Sequence, residues 1–332
     1  MARIQRRKFL TLAGMLLAMP IGSYAQQQGK VWRVGFLAVR ARSTASKPEV
    51  EYDAFAQGMR ELGYVEGKNL LLDWRSADQK YERFPDMASD LVRLKVDVIV
   101  TEGTPATQAA QRATRSIPIV AAVVADPVAS GFAASLGRPG GNITGLSSIS
   151  VDISAKQMEL LKTMAPKLSR VAVVTNPDAS HHPIILKNLQ IAAKQIRVSV
   201  LPVNARSAAD IDRAFAVAAR EHAEAVIIAS DAFFSGRMRQ IAALALQRRL
   251  PSIYTLPGYV QAGGLMSYGQ NLIEHFTHAA TYVDKILKGA KPGDLPIEQP
   301  TKIHLAINRK AAKGLGITVP QELLLRADEV ID

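Results

Sequence analysis

The chain has 332 residues, 48% apolar and 21% charged, with a formal net charge of +12 and no cysteine. That length and apolar share suit one large or two medium domains with packed cores. The missing cysteine excludes disulfides, thiolate nucleophiles, Cys-ligated metals and the lipid-bearing cysteine of a bacterial lipoprotein.

Met1 to Ala25 reads as an export signal. Gln5-Arg6-Arg7-Lys8-Phe9-Leu10 resembles the twin-arginine (Tat) pattern, and a short apolar run, Phe9 to Met19, follows it. Pro20 and Gly22 break the run, and Ser23-Tyr24-Ala25 offers the small residues that a signal peptidase reads. The run is shorter than the roughly 20 residues of a membrane span. Cleavage near Ala25 removes four basic residues and no acid, leaving about +8 on about 307 residues. The expected location is the periplasm. The remaining Lys and Arg are scattered, and with two Trp no basic-aromatic interleaving suits stacked bases, so no nucleic-acid partner is expected.

From Val31 the pattern alternates strand and helix. Strands are expected at Val31–Ala38, Leu70–Trp74, Val96–Thr101 and Ile117–Val124. Phe55, Met59 and Leu62, then Phe84, Met87, Leu91 and Leu94, mark the helical faces between them. The near-continuous run Ile119 to Val124 suits a parallel strand covered on both faces. The pattern then restarts, with strands at Val171–Thr175, Val198–Val203, Ala225–Ala229 and Ser252–Thr255. Residue detail repeats as well. Arg75-Ser76-Ala77 is echoed by Arg206-Ser207-Ala208, Asp97-Val98-Ile99-Val100 by Ala225-Val226-Ile227-Ile228, and Ile117-Pro118 by Leu250-Pro251. Either two similar α/β lobes or two runs of generic βαβ units produce such echoes.

The tail holds a strand at Gly263–Gly269, an amphipathic helix with Leu272, Phe276, Ala280, Val283 and Leu287 on one side, and a last strand at Lys302–Asn308. Three Gly/Pro-rich passages, at 138–142, 267–271 and 291–296, read as three crossings between lobes. The expected fold class is therefore α/β, two doubly wound parallel-sheet lobes joined by three crossings. The first lobe is assigned to 30–143 plus 271–293 and the second to 144–270 plus 294–332.

This layout resembles the type I periplasmic binding-protein fold. Gln26-Gln27, Arg33-Val34-Gly35-Phe36-Leu37, Leu62-Gly63-Tyr64-Val65-Glu66-Gly67-Lys68-Asn69-Leu70 and Ile117-Pro118-Ile119-Val120 resemble a narrower group. So do Asp126-Pro127-Val128 and Ser135-Leu136-Gly137-Arg138-Pro139-Gly140-Gly141-Asn142-Ile143-Thr144-Gly145. They are similar to the ABC-transporter substrate-binding family whose named members handle tryptophan and tyrosine. The resemblance covers essentially the whole mature chain. It implies capture of a small organic ligand between lobes and delivery to an ABC permease in the inner membrane; a monomer and an amino-acid-like ligand are expected.

Ligands of open α/β sheets sit beyond the carboxyl ends of the strands, near helix N-termini. That rule selects Thr104 and the N–H groups after Pro105 for a ligand carboxylate, and Asp126 or Asp231 for an ammonium. Asn176 suits polar groups and Tyr268 a ring. Each has a plainer role, as cap, turn former or packing residue. Asn142-Ile143-Thr144 matches a glycosylation acceptor but reads as a hinge element. No Gly-x-Gly-x-x-Gly follows the first strand and no Gly-x-Ser-x-Gly occurs, so no cofactor and no catalysis are expected. His181-His182 and the other histidines do not form a metal-binding spacing. An exported α/β enzyme, or a partner that presents solute to a membrane sensor, are the alternatives.

Overall fold

The computed structural model describes residues 30–46 and 48–332; the export signal lies outside the described residues. Strands occupy Trp32–Ala38 (β1), Leu70–Ser76 (β2), Val98–Glu102 (β3), Ile119–Ala125 (β4), Ile143–Ser148 (β5), Arg170–Thr175 (β6), Ser199–Asn204 (β7), Ala225–Ile228 (β8), Ser252–Tyr254 (β9), Met266–Gly269 (β10), His304–Asn308 (β11) and Glu329–Ile331 (β12). Helices run over Val50–Glu61 (α1), Phe84–Arg93 (α2), Gly103–Ala113 (α3), Ser154–Met164 (α4), His182–Gln195 (α5), Ala208–Arg220 (α6), Ala232–Ser235 (α7), Met238–Gln247 (α8), Gly258–Gln261 (α9), Leu272–Leu287 (α10), Arg309–Leu315 (α11) and Gln321–Arg326 (α12).

The strands form two sheets, one per lobe. The first has the order β2-β1-β3-β4-β5 and is parallel throughout. The second has the order β7-β6-β8-β9-β10-β11-β12, with β11 antiparallel to β10. Its β7-β6-β8-β9-β10 portion repeats the order of the first sheet. The residue echoes seen in the sequence lie at or beside the strand pairs β2/β7, β3/β8 and β4/β9.

Side-chain alternation explains why both sheets are apolar on both faces. In β1, Val34, Phe36 and Ala38 join Phe55 of α1 and Phe276, Ala280 and Val283 of α10 in one core. Leu37 turns the other way, to Phe84 and Leu91 of α2 and Ala106 and Ala110 of α3. The second sheet repeats the arrangement. Val171, Val173 and Ile227 pack with Leu161 of α4 and Ile185 and Leu189 of α5. Ala172, Val174 and Val226 pack with Phe215 of α6 and Ile241 of α8.

Two boundaries differ from the sequence reading. The first lobe does not end at residue 143, because β5 pairs with β4 as the fifth strand of the first sheet. The passage 138–142 is a turn that feeds this strand rather than a crossing. Asn142 is anchored in it, donating through its side-chain amide to the Ile117 carbonyl at 2.8 Å and accepting from the Ile119 N–H at 2.7 Å. It is a strand-entry residue, not a hinge element. Nor does the chain leave the first lobe at 294. The Glu298 N–H donates to the Gly145 carbonyl at 3.0 Å, and the Ser147 N–H to the Glu298 carbonyl at 2.8 Å, which extends the sheet past β5. The crossings therefore lie at 149–153, 270–271 and 299–303. The Ile149 N–H donates to Gln270 Oε1 at 3.0 Å, tying the first two together.

One glycine is required by this arrangement. Gly145 has φ +127°, and a Cβ there would lie 2.2 Å from the Ala121 carbonyl oxygen of β4. Left-handed strain and overpacking each cost about 1–3 kcal/mol. Gly145→Ala should accordingly lower unfolding free energy by about 2–5 kcal/mol, read from the denaturant midpoint. A change below about 1 kcal/mol would show that the β4–β5 pairing yields.

Candidate functional site

The carboxyl ends of the strands in the two lobes face one another across a cleft. From the first lobe come Glu102, which ends β3, Gly103, Thr104 and Pro105 at the start of α3, Ala125 at the end of β4, and Ser148 at the end of β5. From the second come His181 before α5 and Ser230 and Asp231 after β8. Gln270 and Leu272, from the second crossing and the start of α10, close one side. The cavity these residues enclose is about 60 Å³, below the roughly 300–1,000 Å³ of ordinary ligand pockets. Ser235, Leu256 and Leu272 also line an outer recess of about 490 Å³, whose other walls include Arg40, Glu49 and Glu51.

Hydrogen bonds of one tyrosine cross the cleft between the lobes. Tyr81, in a short 3-10 turn after β2, donates its hydroxyl to Asp231 Oδ1 at 2.9 Å and accepts from the Phe233 N–H at 3.1 Å. Asp231 is also the N-cap of α7, taking the Phe233 N–H at 2.8 Å, and Asn176 Nδ2 donates to it at 3.4 Å. All of these bonds go to Oδ1; among the described residues Oδ2 receives none. Burial pushes the Asp231 carboxyl up from its ordinary value, opposed in part by His181 and by these donors. The Tyr81 hydroxyl is pushed up as well, first by burial and then by the Asp231 charge.

A second carboxylate is fully engaged. Glu102 accepts from Arg40 Nη2 at 3.0 Å, from the Val39 N–H at 2.8 Å and from the Tyr52 hydroxyl. Arg40 also bonds Glu49 at 2.7 Å and Glu51 at 3.4 Å. Its guanidinium is therefore committed to three carboxylates, and their charges raise its pKa against burial, which alone would lower it. Among the described residues, no Lys or Arg lines the inner cavity. The neutral donors are different. Thr104 Oγ1 accepts from the Ala125 N–H at 3.2 Å, and its own proton has no recorded acceptor. The cavity thus offers an acidic side at Asp231 and a neutral donor side at Thr104 and the start of α3. Its chemistry is that of binding a zwitterion, with charge-assisted bonds at the acidic side.

The structure brings Thr104 and Asp231 to the cavity wall and sets Asn176 behind Asp231. It does not bring Asp126 or Tyr268 there. Asp126 adopts φ +37° and its Oδ1 takes the Ala129 N–H at 3.0 Å, so it shapes a turn. Tyr268 packs its ring against the second lobe's core, and its carbonyl accepts from Gln157. Strand ends alone do not single out Tyr81, which lies five residues beyond β2, or His181, which reads in sequence as half of a histidine pair. Both were within the reach of the rule, since each follows a strand's carboxyl end. Among the described residues no cluster of three or more His, Asp or Glu could hold a metal ion.

The neighbouring His182 gives a pH signature. Its Nδ1 accepts from the Asn176 N–H at 2.7 Å and its Nε2 donates to the Ser230 carbonyl at 3.0 Å, which fixes a neutral ring. Burial, with His181 beside it, holds its pKa down at about 3, against 6.5 for a free imidazole. Between these values the unfolded chain takes the proton and the folded one does not. The stability is therefore complete above about pH 6.5 and is lost as pH falls toward 3. Asp231, with its raised pKa, acts in the opposite sense. The difference between wild type and His182→Gln cancels that contribution. Melting from pH 7 to pH 4 should show wild type losing more stability than the variant, by up to about 1.4 kcal/mol per pH unit. Parallel curves would contradict a neutral buried His182.

Residues 46–331 match the model of a family described as ABC transporter substrate binding protein. A tyrosine-binding protein of Clostridioides difficile is 28% identical over 264 residues, 79% of this chain and 75% of that protein. A conserved domain protein from Vibrio cholerae is 29% identical, with a TM-score of 0.83 over 91% of this chain and all of its own. An ABC domain from Streptococcus pneumonia, solved in complex with L-Trp, shares 23% identity. Its TM-score is 0.81 over 90% of this chain and 99% of its own, a likeness of fold.

Proposed function

Because the chain belongs to the ABC transporter substrate-binding protein family, we propose that it captures an aromatic amino acid outside the cytoplasm and hands it to its permease. As a member of that family it is a transporter's substrate-binding component, a binding protein rather than an enzyme. The observation that carries the ligand reading is the charge layout of the cleft. Asp231 presents one carboxylate oxygen unengaged among the described residues, Arg40 in the outer recess is spent on three glutamates, and among the described residues no Lys or Arg lines the inner cavity. A ligand ammonium answers Asp231 Oδ2. Its carboxylate answers the Thr104 hydroxyl and the N–H groups at the start of α3. The tyrosine-binding relative supports the choice among ammonium-bearing solutes.

A solute of that size enters when the lobes part, since the closed cavity is about 60 Å³. Opening separates residues 30–148 and 271–298 from the remainder by rotation about the three crossings, and closure re-forms the Tyr81–Asp231 bond. The Arg6-Arg7 signal fits delivery of a folded receptor to the periplasm. Among the described residues no helix is long and apolar enough to cross a membrane.

Calorimetric titration with a panel of amino acids tests the reading. Asp231→Ala should weaken the best ligand by a hundredfold or more, because the ligand's charge is left unpaired in a closed cleft. It should also cost about 1 kcal/mol of stability through the lost cap. A stability loss with affinity unchanged would reduce Asp231 to a cap. Tyr81→Phe removes both hydrogen bonds that its hydroxyl makes across the cleft, to Asp231 and from the Phe233 N–H, and its affinity should fall about two- to tenfold with little change in melting. For export, Arg6-Arg7→Lys-Lys should abolish periplasmic accumulation; an undiminished yield would remove the Tat route.

A further inference from the structure

His181 and His182 point their Nε2 atoms at one carbonyl, that of Ser230, at 2.9 and 3.0 Å. A carbonyl only accepts, so both Nε2 atoms carry protons and both Nδ1 atoms hold lone pairs while the rings are neutral. His182 is complete, since its Nδ1 takes the Asn176 N–H. His181 is not. It lines the inner cavity and is only 7% exposed, and its buried Nδ1 has no hydrogen-bond partner. Burial lowers its pKa, so the ring stays a neutral acceptor. A buried acceptor left unmet is costly, and native proteins seldom leave one without a reason.

Two acceptors without a partner among the described residues, His181 Nδ1 and Asp231 Oδ2, therefore belong to residues that line one cavity. They belong together: His181 is pinned to Ser230, the residue before Asp231, and it feels the Asp231 charge directly. A single hydroxyl or ring N–H offers one proton and can serve one of them. An ammonium carries three and can serve both. We propose that His181 is a ligand-contacting specificity residue whose Nδ1 accepts a hydrogen bond from the ligand's ammonium beside Asp231. The proposal rests on the amino-acid reading above. Recognition is then by one charge and one neutral acceptor, and a ligand with a single donor at this end leaves one of the two unmet.

Two variants separate this role from a structural one. His181→Gln can keep an N–H donor to Ser230 but places no acceptor where Nδ1 stood. His181→Asn places its carbonyl oxygen near the Nδ1 position and gives up the bond to Ser230. Both, with wild type, are titrated with L-tyrosine, L-tryptophan and their des-amino counterparts, and all three proteins are melted. For the amino acid that binds, His181→Gln should weaken affinity about ten- to a hundredfold while His181→Asn stays within about fivefold. The des-amino acids should bind all three proteins alike. Unchanged amino-acid affinity in His181→Gln overturns the proposal and leaves the amino-acid reading standing. An equal loss for the des-amino acids also overturns it, since the contact would then lie elsewhere on the ligand. Lower melting temperatures with unchanged affinity in both variants overturn it in favour of a packing role. A wild-type protein that binds neither amino acid overturns the aromatic amino-acid reading and this inference with it.

Discussion

The carboxylate of Asp231 is the point on which the two lobes and the ligand reading meet. It is buried, it caps α7, and it takes the hydroxyl of Tyr81 from the opposite lobe. Burying a charge without compensation is expensive. Here three donors converge on one oxygen and leave the other unengaged. On the proposed reading, closure and binding share one group. The Tyr81 bond exists only when the lobes are together, and a cation at Oδ2 would complete the neutralisation that the donors begin. Such a group makes the closed state depend on what is inside it, which is what a receptor that signals occupancy by its shape requires.

The fold supplies that convergence by repetition. The order 2-1-3-4-5 occurs in both sheets, so strand ends from both halves arrive at the cleft with equivalent neighbours. Glu102 ends β3, Asp231 follows the corresponding strand β8 by three residues, and each precedes the first residue of the next helix, yet they have opposite fates. Glu102 is consumed by Arg40, Tyr52 and the Val39 amide. Asp231 keeps an open oxygen. Two similar frames with differently engaged carboxylates after corresponding strands yield a cleft with an acidic side and a neutral donor side.

Much of this was legible in the sequence because it rests on period and punctuation. The run Ile119 to Val124 announces a strand buried on both faces, and the echoed Arg-Ser-Ala segments lie at or just past the carboxyl ends of β2 and β7. What was misread lay where the same residues serve two purposes. The cluster at 138–142 has the composition of a crossing but turns the chain into β5. Thr144 to Ser148 is short and small and follows a breaker, so no periodic signal marks it. Asp126 and Asp231 both follow strands, and only the φ of +37° and the Ala129 contact reveal that Asp126 is spent on its own turn. Tyr81 belongs to a 3-10 turn with no apolar period, and its partner is 150 residues away; long-range pairing of that kind has no local trace. His181 was hidden by its neighbour, because two adjacent histidines suggest a metal before they suggest one satisfied ring and one open acceptor.

The central claim is that a ligand's positive nitrogen comes to rest on Asp231 between closed lobes. A crystal structure of the protein with its tightest-binding amino acid tests it most directly. The account predicts the ammonium nitrogen at about 2.7–3.2 Å from Asp231 Oδ2, with the ligand carboxylate near Thr104 and the start of α3. A ligand bound with its carboxylate toward Asp231, or with its nitrogen out of reach of that oxygen, would contradict it.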